Sequence, residues 1–385
     1  MNLLSAQKAL LDLTIAGNSA FLVSRSGIGK SSIAKQNLDR LKQLDETVRW
    51  GSATMFLATQ RPTSLIGIQW KGERQIPDGN GGFRTVTVTD PAVPLWMIDT
   101  ATGLPAWCFD KFYLFLDEYG QGDPDTKRAS AEILLNLGTA PWYLPFGSVV
   151  VAASNEGSRY GVTKDFDFIV SRRTRIKIDG DVDVTLAHWD KPYVHRGQTW
   201  EVSPIMKAWA AANAAVLFED EPKEQSPWCN PRTACDADRY LQVVAAQNGG
   251  EIPVGNTGAA YEVIEVLNGT VGVPATTSIS QFLTFRLELP TYDDIVADPT
   301  GTPAPKRADL MLLMAYELAS RCKVEHLAEV ITYVSKKLPK DMSVTFVTAL
   351  LRRDYKNIIM QPAMQGWISK NAQLVSVIAS IANAK

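Results

Sequence analysis

The stretch from Ala20 to Leu41 constrains the fold of this chain more than any other. Ala20-Phe21-Leu22-Val23 is a short apolar run of the kind that forms a buried strand. It passes without a break into Ser24-Arg25-Ser26-Gly27-Ile28-Gly29-Lys30-Ser31-Ser32. An amphipathic segment follows, in which Ala34, Leu38 and Leu41 share one helical face. The order is strand, tight loop, helix. Gly27 and Gly29 let the backbone curl where a Cβ would obstruct it. The helix start supplies unpartnered amides and the positive end of a dipole, which together favour an anion. With Lys30 at that start, the loop reads as a phosphate cradle. Ser26, Gly27, Ile28, Gly29, Lys30, Ser31 and Ser32 would wrap a triphosphate. Lys30 would neutralise its β and γ phosphates, and the Ser31 hydroxyl would coordinate Mg²⁺. Ser24 occupies the place where such a loop usually has its first glycine.

The remaining apolar runs extend the pattern. Residues 52–59, 112–116, 148–153 and 175–178 each predict a strand, with helical patterns between most of them. Strands alternating with helices imply an α/β fold with a largely parallel sheet covered on both faces. Residues 70–90, polar and alternating around Asp78-Gly79-Asn80-Gly81-Gly82, predict a surface hairpin. Ahead of the loop, Leu3 with Leu10 and Leu4 with Leu11 predict a first helix with both pairs on one face, ended by Gly17-Asn18. Beyond about residue 180 the patterns turn helical. Residues 219–232 read as a polar loop, and residues 296–306, with three prolines, as a linker. Leu327, Val330, Ile331, Val334 and Leu338 form one helical stripe ended by Pro339. At about 150 residues per domain, three parts are expected: 1–180, 181–295 and 296–385.

Four further sites carry chemistry. Leu114-Phe115-Leu116-Asp117-Glu118 ends a buried strand in two acids. Asp117 would hold Mg²⁺ and Glu118 would polarise an attacking water. Val149-Val150-Val151-Ala152-Ala153-Ser154-Asn155 ends another strand in an amide, placed to face the γ-phosphate and the lytic water. Ser171-Arg172-Arg173-Thr174-Arg175 offers a cation that could complete a neighbouring subunit's site, with Arg172 the first choice and Arg173 the second. Asn230-Pro231-Arg232 opens a helix, from which Arg232 would reach the phosphates from a second domain.

Composition narrows the field. Lys and Arg number 39 against 41 Asp and Glu, a formal charge of −2. That balance argues against a nucleic-acid coat or a polybasic membrane binder. Four cysteines are too few for a disulfide scaffold. Cys229 and Cys235 lack the paired short spacings of a zinc site and read as buried thiols. The start lacks a basic, signal-like region, and no run is long enough to span a bilayer. A cytoplasmic protein is expected, with no membrane partner.

In this order the motifs resemble those of AAA+ ATPases of the MoxR-like, midasin/dynein-related group. Residues 27–32 resemble Walker A, 114–118 Walker B, and 152–155 sensor 1. Residues 171–176 resemble the arginine-finger segment, and 230–232 sensor 2. Thr63-Ser64-Leu65-Ile66-Gly67 and Tyr143-Leu144-Pro145-Phe146-Gly147 are similar to other segments of the group. Arg173 stands where the group usually has phenylalanine, and Tyr119-Gly120-Gln121-Gly122 departs from its usual turn. The resemblance implies a P-loop AAA+ domain, a helical lid and a helical C-terminal extension. It further implies ATP and Mg²⁺, a hexameric ring that remodels a protein client, and a bacterial or phage-infected host cell. A partner with a von Willebrand factor A domain is also implied. A nucleic-acid-stimulated motor and a nucleotide-bound scaffold with little turnover remain alternatives.

Overall fold

Strand-forming residues account for the centre of residues 1–180. In the computed structural model, which describes residues 1–372 apart from 157–161, 163–164, 172 and 223, the chain divides into two compact units, Met1–Gly180 and Asp181–Lys385. Helix α1 (Leu3–Ile15) is capped by Asn2, whose side chain accepts from the Ser5 amide at 3.0 Å. There follow β1 (Ala20–Ser24), α2 (Lys30–Leu44), β2 (Trp50–Phe56) and α3 (Pro62–Ile66). Next come β3 (Gln69–Pro77), β4 (Phe83–Pro91), β5 (Lys111–Asp117) and α4 (Pro124–Asn136). The unit closes with β6 (Gly138–Thr139), β7 (Trp142–Tyr143), β8 (Val149–Asn155), α5 (Asp167–Val170) and β9 (Thr174–Lys177).

Five of these strands form one parallel sheet in the order β2-β5-β8-β1-β9. Successive strand residues face opposite sides, and both sides are buried. Phe21, Val23, Leu114, Leu116, Val150 and Ala152 pack on one face with Leu65, Trp96 and Leu134. Leu22, Tyr113, Phe115, Val151 and Ala153 pack on the other with Ala6 and Leu10 of α1 and Ile33, Ala34 and Leu38 of α2. The expected α/β class and covered parallel sheet are therefore what the chain adopts. The 70–90 hairpin is present as β3 and β4, paired from Gln69–Pro91 to Pro77–Phe83, with Trp70 exposed. The α1 stripe differs from expectation. Leu10 is fully buried but Leu4 is exposed, and the inward face is completed by Ala6, Gln7 and Thr14.

The second unit comprises α6 (Val182–Trp189), the hairpin of β10 (Tyr193–His195) and β11 (Gln198–Trp200), α7 (Pro204–Ala212) and α8 (Ala214–Leu217). After these come α9 (Pro231–Gln247), α10 (Gly258–Val271), α11 (Val273–Phe285), α12 (Tyr292–Ala297) and α13 (Ala308–Arg321). The last three helices are α14 (Leu327–Lys337), α15 (Lys340–Ile358) and α16 (Pro362–Lys370). Two cores adjoin here. Helix α13 gives Leu313 and Tyr316 to the first, and Met314, Ala315 and Leu318 to the second. The 296–306 stretch is not a loose linker. Thr302 is buried, its hydroxyl donating to Asp298 O at 2.7 Å and Asp294 O at 3.0 Å, and Tyr333 Oη donates to Pro303 O at 3.1 Å. Polar turn chemistry made it resemble a spacer, but its own hydrogen bonds pin it.

Candidate functional site

All five strands of the sheet run parallel, so the carboxyl ends of β1, β5 and β8 lie along one edge, the usual place for a ligand in such sheets. Ser24 pairs with Asn155 in the β1–β8 ladder, and Leu116 with Ala152 in the β5–β8 ladder. This register brings the sequence-predicted residues together. The loop after β1 turns through Gly27 and Gly29, whose φ angles of 77° and 103° lie in the left-handed region. Gly29 forms the N-cap of the 15-residue α2, so the first-turn amides of that helix sit beside the loop.

Lys30 is buried and folds back across the edge of the sheet. Its Nζ donates to Asn155 Oδ1 at 2.8 Å, Ser24 Oγ at 3.0 Å, Arg25 O at 3.1 Å and Ser24 O at 3.3 Å. Ser31 Oγ donates to Asp117 Oδ2 at 2.7 Å, which joins the helix start to the end of β5. A hydroxyl and a carboxylate form a hard, all-oxygen donor pair, the kind Mg²⁺ takes, usually keeping several waters. The residues present thus fit a magnesium-bound polyphosphate.

Glu118 has φ 52°, a left-handed conformation that side chains seldom adopt. Its amide donates to Asp117 Oδ1 at 2.9 Å. Among the described residues, its half-exposed carboxylate has no hydrogen-bond or ion-pair partner. The turn that follows needs residues without a Cβ. A Cβ on Gly120 would come within 2.0 Å of Ser154 Oγ, and one on Gly122 within 3.1 Å of Leu57 Cδ2. Asp123 then caps α4 by accepting from the Asp125 and Thr126 amides.

The two candidate finger residues separate. Arg172 lies outside the described residues. Arg173 is committed within its own unit. Its guanidinium pairs with Asp165, lies 3.6 Å from the Phe21 ring centroid and 5.6 Å from that of Tyr119. Lys127 Nζ, fully buried, holds the other oxygen of Asp165 at 3.0 Å. Burial raises the Asp165 pKa, but hydrogen bonds from Arg173 and Lys127 outweigh it and hold the carboxyl below its ordinary range. Sequence reasoning missed Asp165 and Lys127 because nothing local marks either as buried. Arg232 is exposed in the first turn of α9, its amide donating to the cap Asn230 Oδ1 at 3.0 Å. Cys229 and Cys235 have thiols pushed up to about 12 by burial. Among the described residues, no group of three His, Cys, Asp or Glu is placed to hold a metal, and no helix is long and apolar enough to cross a membrane.

No protein-family model matches the chain, and no curated protein matches it. Among solved structures it is similar to NtrX from Brucella abortus, at 12% identity, covering 90% of this chain and 67% of that one, with a TM-score of 0.38. It is also similar to a mutant of Thermotoga maritima RuvB, at 13% identity over 71% of this chain and 72% of that one, TM-score 0.36. A third is the Aeropyrum pernix ORC2 protein in ADPNP–ADP complexes, at 11% identity over 91% and 93%, TM-score 0.39. At such identities and scores the likeness carries no weight for function.

Proposed function

We propose that this chain is an AAA+ ATPase of MoxR type that works as a hexameric ring and couples ATP hydrolysis to the remodelling of a protein client. One observation carries the proposal. Lys30 and Ser31, from a glycine loop and helix start, meet Asn155 and Asp117 from two neighbouring strands. Because β8 lies between β1 and β5, a third strand end reaches the phosphate loop and brings an amide with it.

In this reading residues 1–180 bind nucleotide, 181–295 form a lid and 296–385 an extension. The amides of Ser26, Gly27, Ile28, Gly29 and Ser32 hold the phosphates, and Lys30 turns its ammonium toward them. Ser31 and Asp117 would hold Mg²⁺, which when bound draws charge from the phosphate oxygens. Glu118, in its left-handed turn, takes the proton of the attacking water, and Asn155 orients that water. Arg172 completes the site of a neighbouring subunit, because Arg173 is occupied by Asp165. Arg232 reports the γ-phosphate to the lid. A partner with a von Willebrand factor A domain and a cytoplasmic site of action belong to the same proposal.

The test is binding and steady-state phosphate release. Lys30→Ala should abolish ATP binding. Glu118→Gln should bind and trap ATP. Arg172→Ala should retain binding while turnover falls by about 10³ to 10⁵. Wild-type turnover in Glu118→Gln would refute the assigned base. Turnover that rises with added DNA or RNA would favour a nucleic-acid motor instead, and binding without turnover a scaffold.

A further inference from the structure

We infer that the Ser24 hydroxyl is a positioning group that holds the Lys30 ammonium inside the protein and thereby weakens binding of a nucleoside triphosphate. The inference rests on the reading of residues 24–31 as a phosphate loop. Ser24 closes β1, is fully buried and pairs with Asn155 across the ladder. It is not among the residues with positive φ, so nothing in the backbone demands glycine at this place. What serine adds is an oxygen. Its hydroxyl donates to Arg25 O at 2.7 Å, which fixes its orientation and leaves its lone pairs toward Lys30 Nζ at 3.0 Å.

The inventory of donors and acceptors then decides the effect. A lysine ammonium has three N–H groups. At least four oxygens lie within reach of this one: Ser24 Oγ, Ser24 O, Arg25 O and Asn155 Oδ1. Its donors are already filled from inside. A phosphate oxygen that takes the ammonium must displace at least one of these acceptors. Two are backbone carbonyls present in any such loop, and Asn155 belongs to the proposed reaction. The Ser24 hydroxyl is the added competitor: at 3.0 Å it lies nearer Nζ than either carbonyl, so with glycine or alanine at position 24 one N–H is left to the longest contact, 3.3 Å to Ser24 O, which a phosphate oxygen displaces at least cost.

A hydrogen bond to a charged group is a large enough competitor to change affinity by about tenfold. Ser24→Ala and Ser24→Gly should therefore bind a non-hydrolysable ATP analogue, with Mg²⁺, about tenfold more tightly than the wild type in calorimetric titration. The two variants guard against one of them loosening β1. A second measurement needs no nucleotide. Ser24→Ala should lower the melting temperature of the free protein more in the wild-type background than in Lys30→Met, where no ammonium remains to be held and the bond to Arg25 O alone is lost. Equal or weaker analogue binding by both variants would overturn the inference, as would an equal melting shift in the two backgrounds. If the wild type itself failed to bind the analogue at millimolar concentration, the phosphate-loop reading would fail first and this inference with it.

Discussion

Replacing Asp165 with asparagine isolates the energetics of the network beside the candidate site. The Asp165 side chain is 18% exposed, that of Arg173 7% and that of Lys127 0%. One carboxylate therefore serves two cations that solvent hardly reaches. Asparagine keeps the shape and removes the charge. Breaking a buried ion pair by deleting one partner costs about 3–5 kcal/mol, because the remaining charge is left uncompensated. Here the Arg173 guanidinium loses its carboxylate partner, and among the described residues the faces of Phe21 and Tyr119 still attract it. Those contacts, worth about 2 kcal/mol at most when desolvated, are already made in the wild type and offset nothing new, so the loss should stay near 3 kcal/mol or above. The assay is hydrogen exchange by mass spectrometry on the full chain, which reads residues 1–180 separately from 181–385. Peptides from β1, β8 and α4 should exchange faster by two orders of magnitude or more, at a factor of ten per 1.4 kcal/mol, with those of 181–385 unchanged. A control variant, Lys127→Met with Asp165→Leu and Arg173→Met, removes all three charges at similar volume and should recover most of the protection. If Asp165→Asn exchanged within a factor of about three of the wild type, less than 1 kcal/mol, the network would not be a desolvated one and the reasoning would be wrong.

Two other outcomes follow from ion pairs. The Asp165 pKa is depressed in the folded chain, so its contribution is complete above the ordinary carboxylate value of about 3.9 and is lost as pH falls through the lower folded value. A stability titration from about pH 5 to about pH 2.5, which brackets that ordinary value, should show residues 1–180 weakening at the acid end, and Asp165→Asn should lack that component. In the second unit, Asp190 is buried and its two oxygens accept from Lys207 of α7 at 2.9 Å and Arg352 of α15 at 2.8 Å. Asp190→Asn should cost about 3 kcal/mol and raise exchange in α7 and α15 together; a change confined to one helix would refute a shared clamp.

The strands were legible because each is a continuous apolar run, as a sheet buried on both faces requires. Their order was not, since β8 enters between β1 and β5 only through crossovers that no local pattern encodes. The error in α1 has a specific cause. Its inward stripe includes Gln7 and Thr14, which look like solvent residues. Gln7 Nε2 donates to Gln36 Oε1 at 2.7 Å, and Asn37 Nδ2 donates to Thr14 Oγ1 at 3.2 Å, so polar pairs join α1 to α2 where apolar contacts were sought. Counting only leucines then assigned Leu4 to the wrong face.

The candidate site was legible where one residue type does one job. Glycines at left-handed positions, a lysine at a helix start and acids at a strand end announce themselves. Arg173 could not be read this way, because an arginine beside another arginine looks the same in sequence whether it faces solvent or the core. Its position is set by Phe21, Tyr119 and Asp165, which are distant from one another in the chain. The planar guanidinium lies over the Phe21 ring while pairing with Asp165. Lysine offers a point charge without that plane. Arg173→Lys should therefore destabilise residues 1–180 although the charge is kept, and Arg173→Phe should be tolerated better in the Asp165→Asn background than in the wild type. The reverse order would mean that charge alone, and not a charged plane, holds this segment to the strand before the phosphate loop.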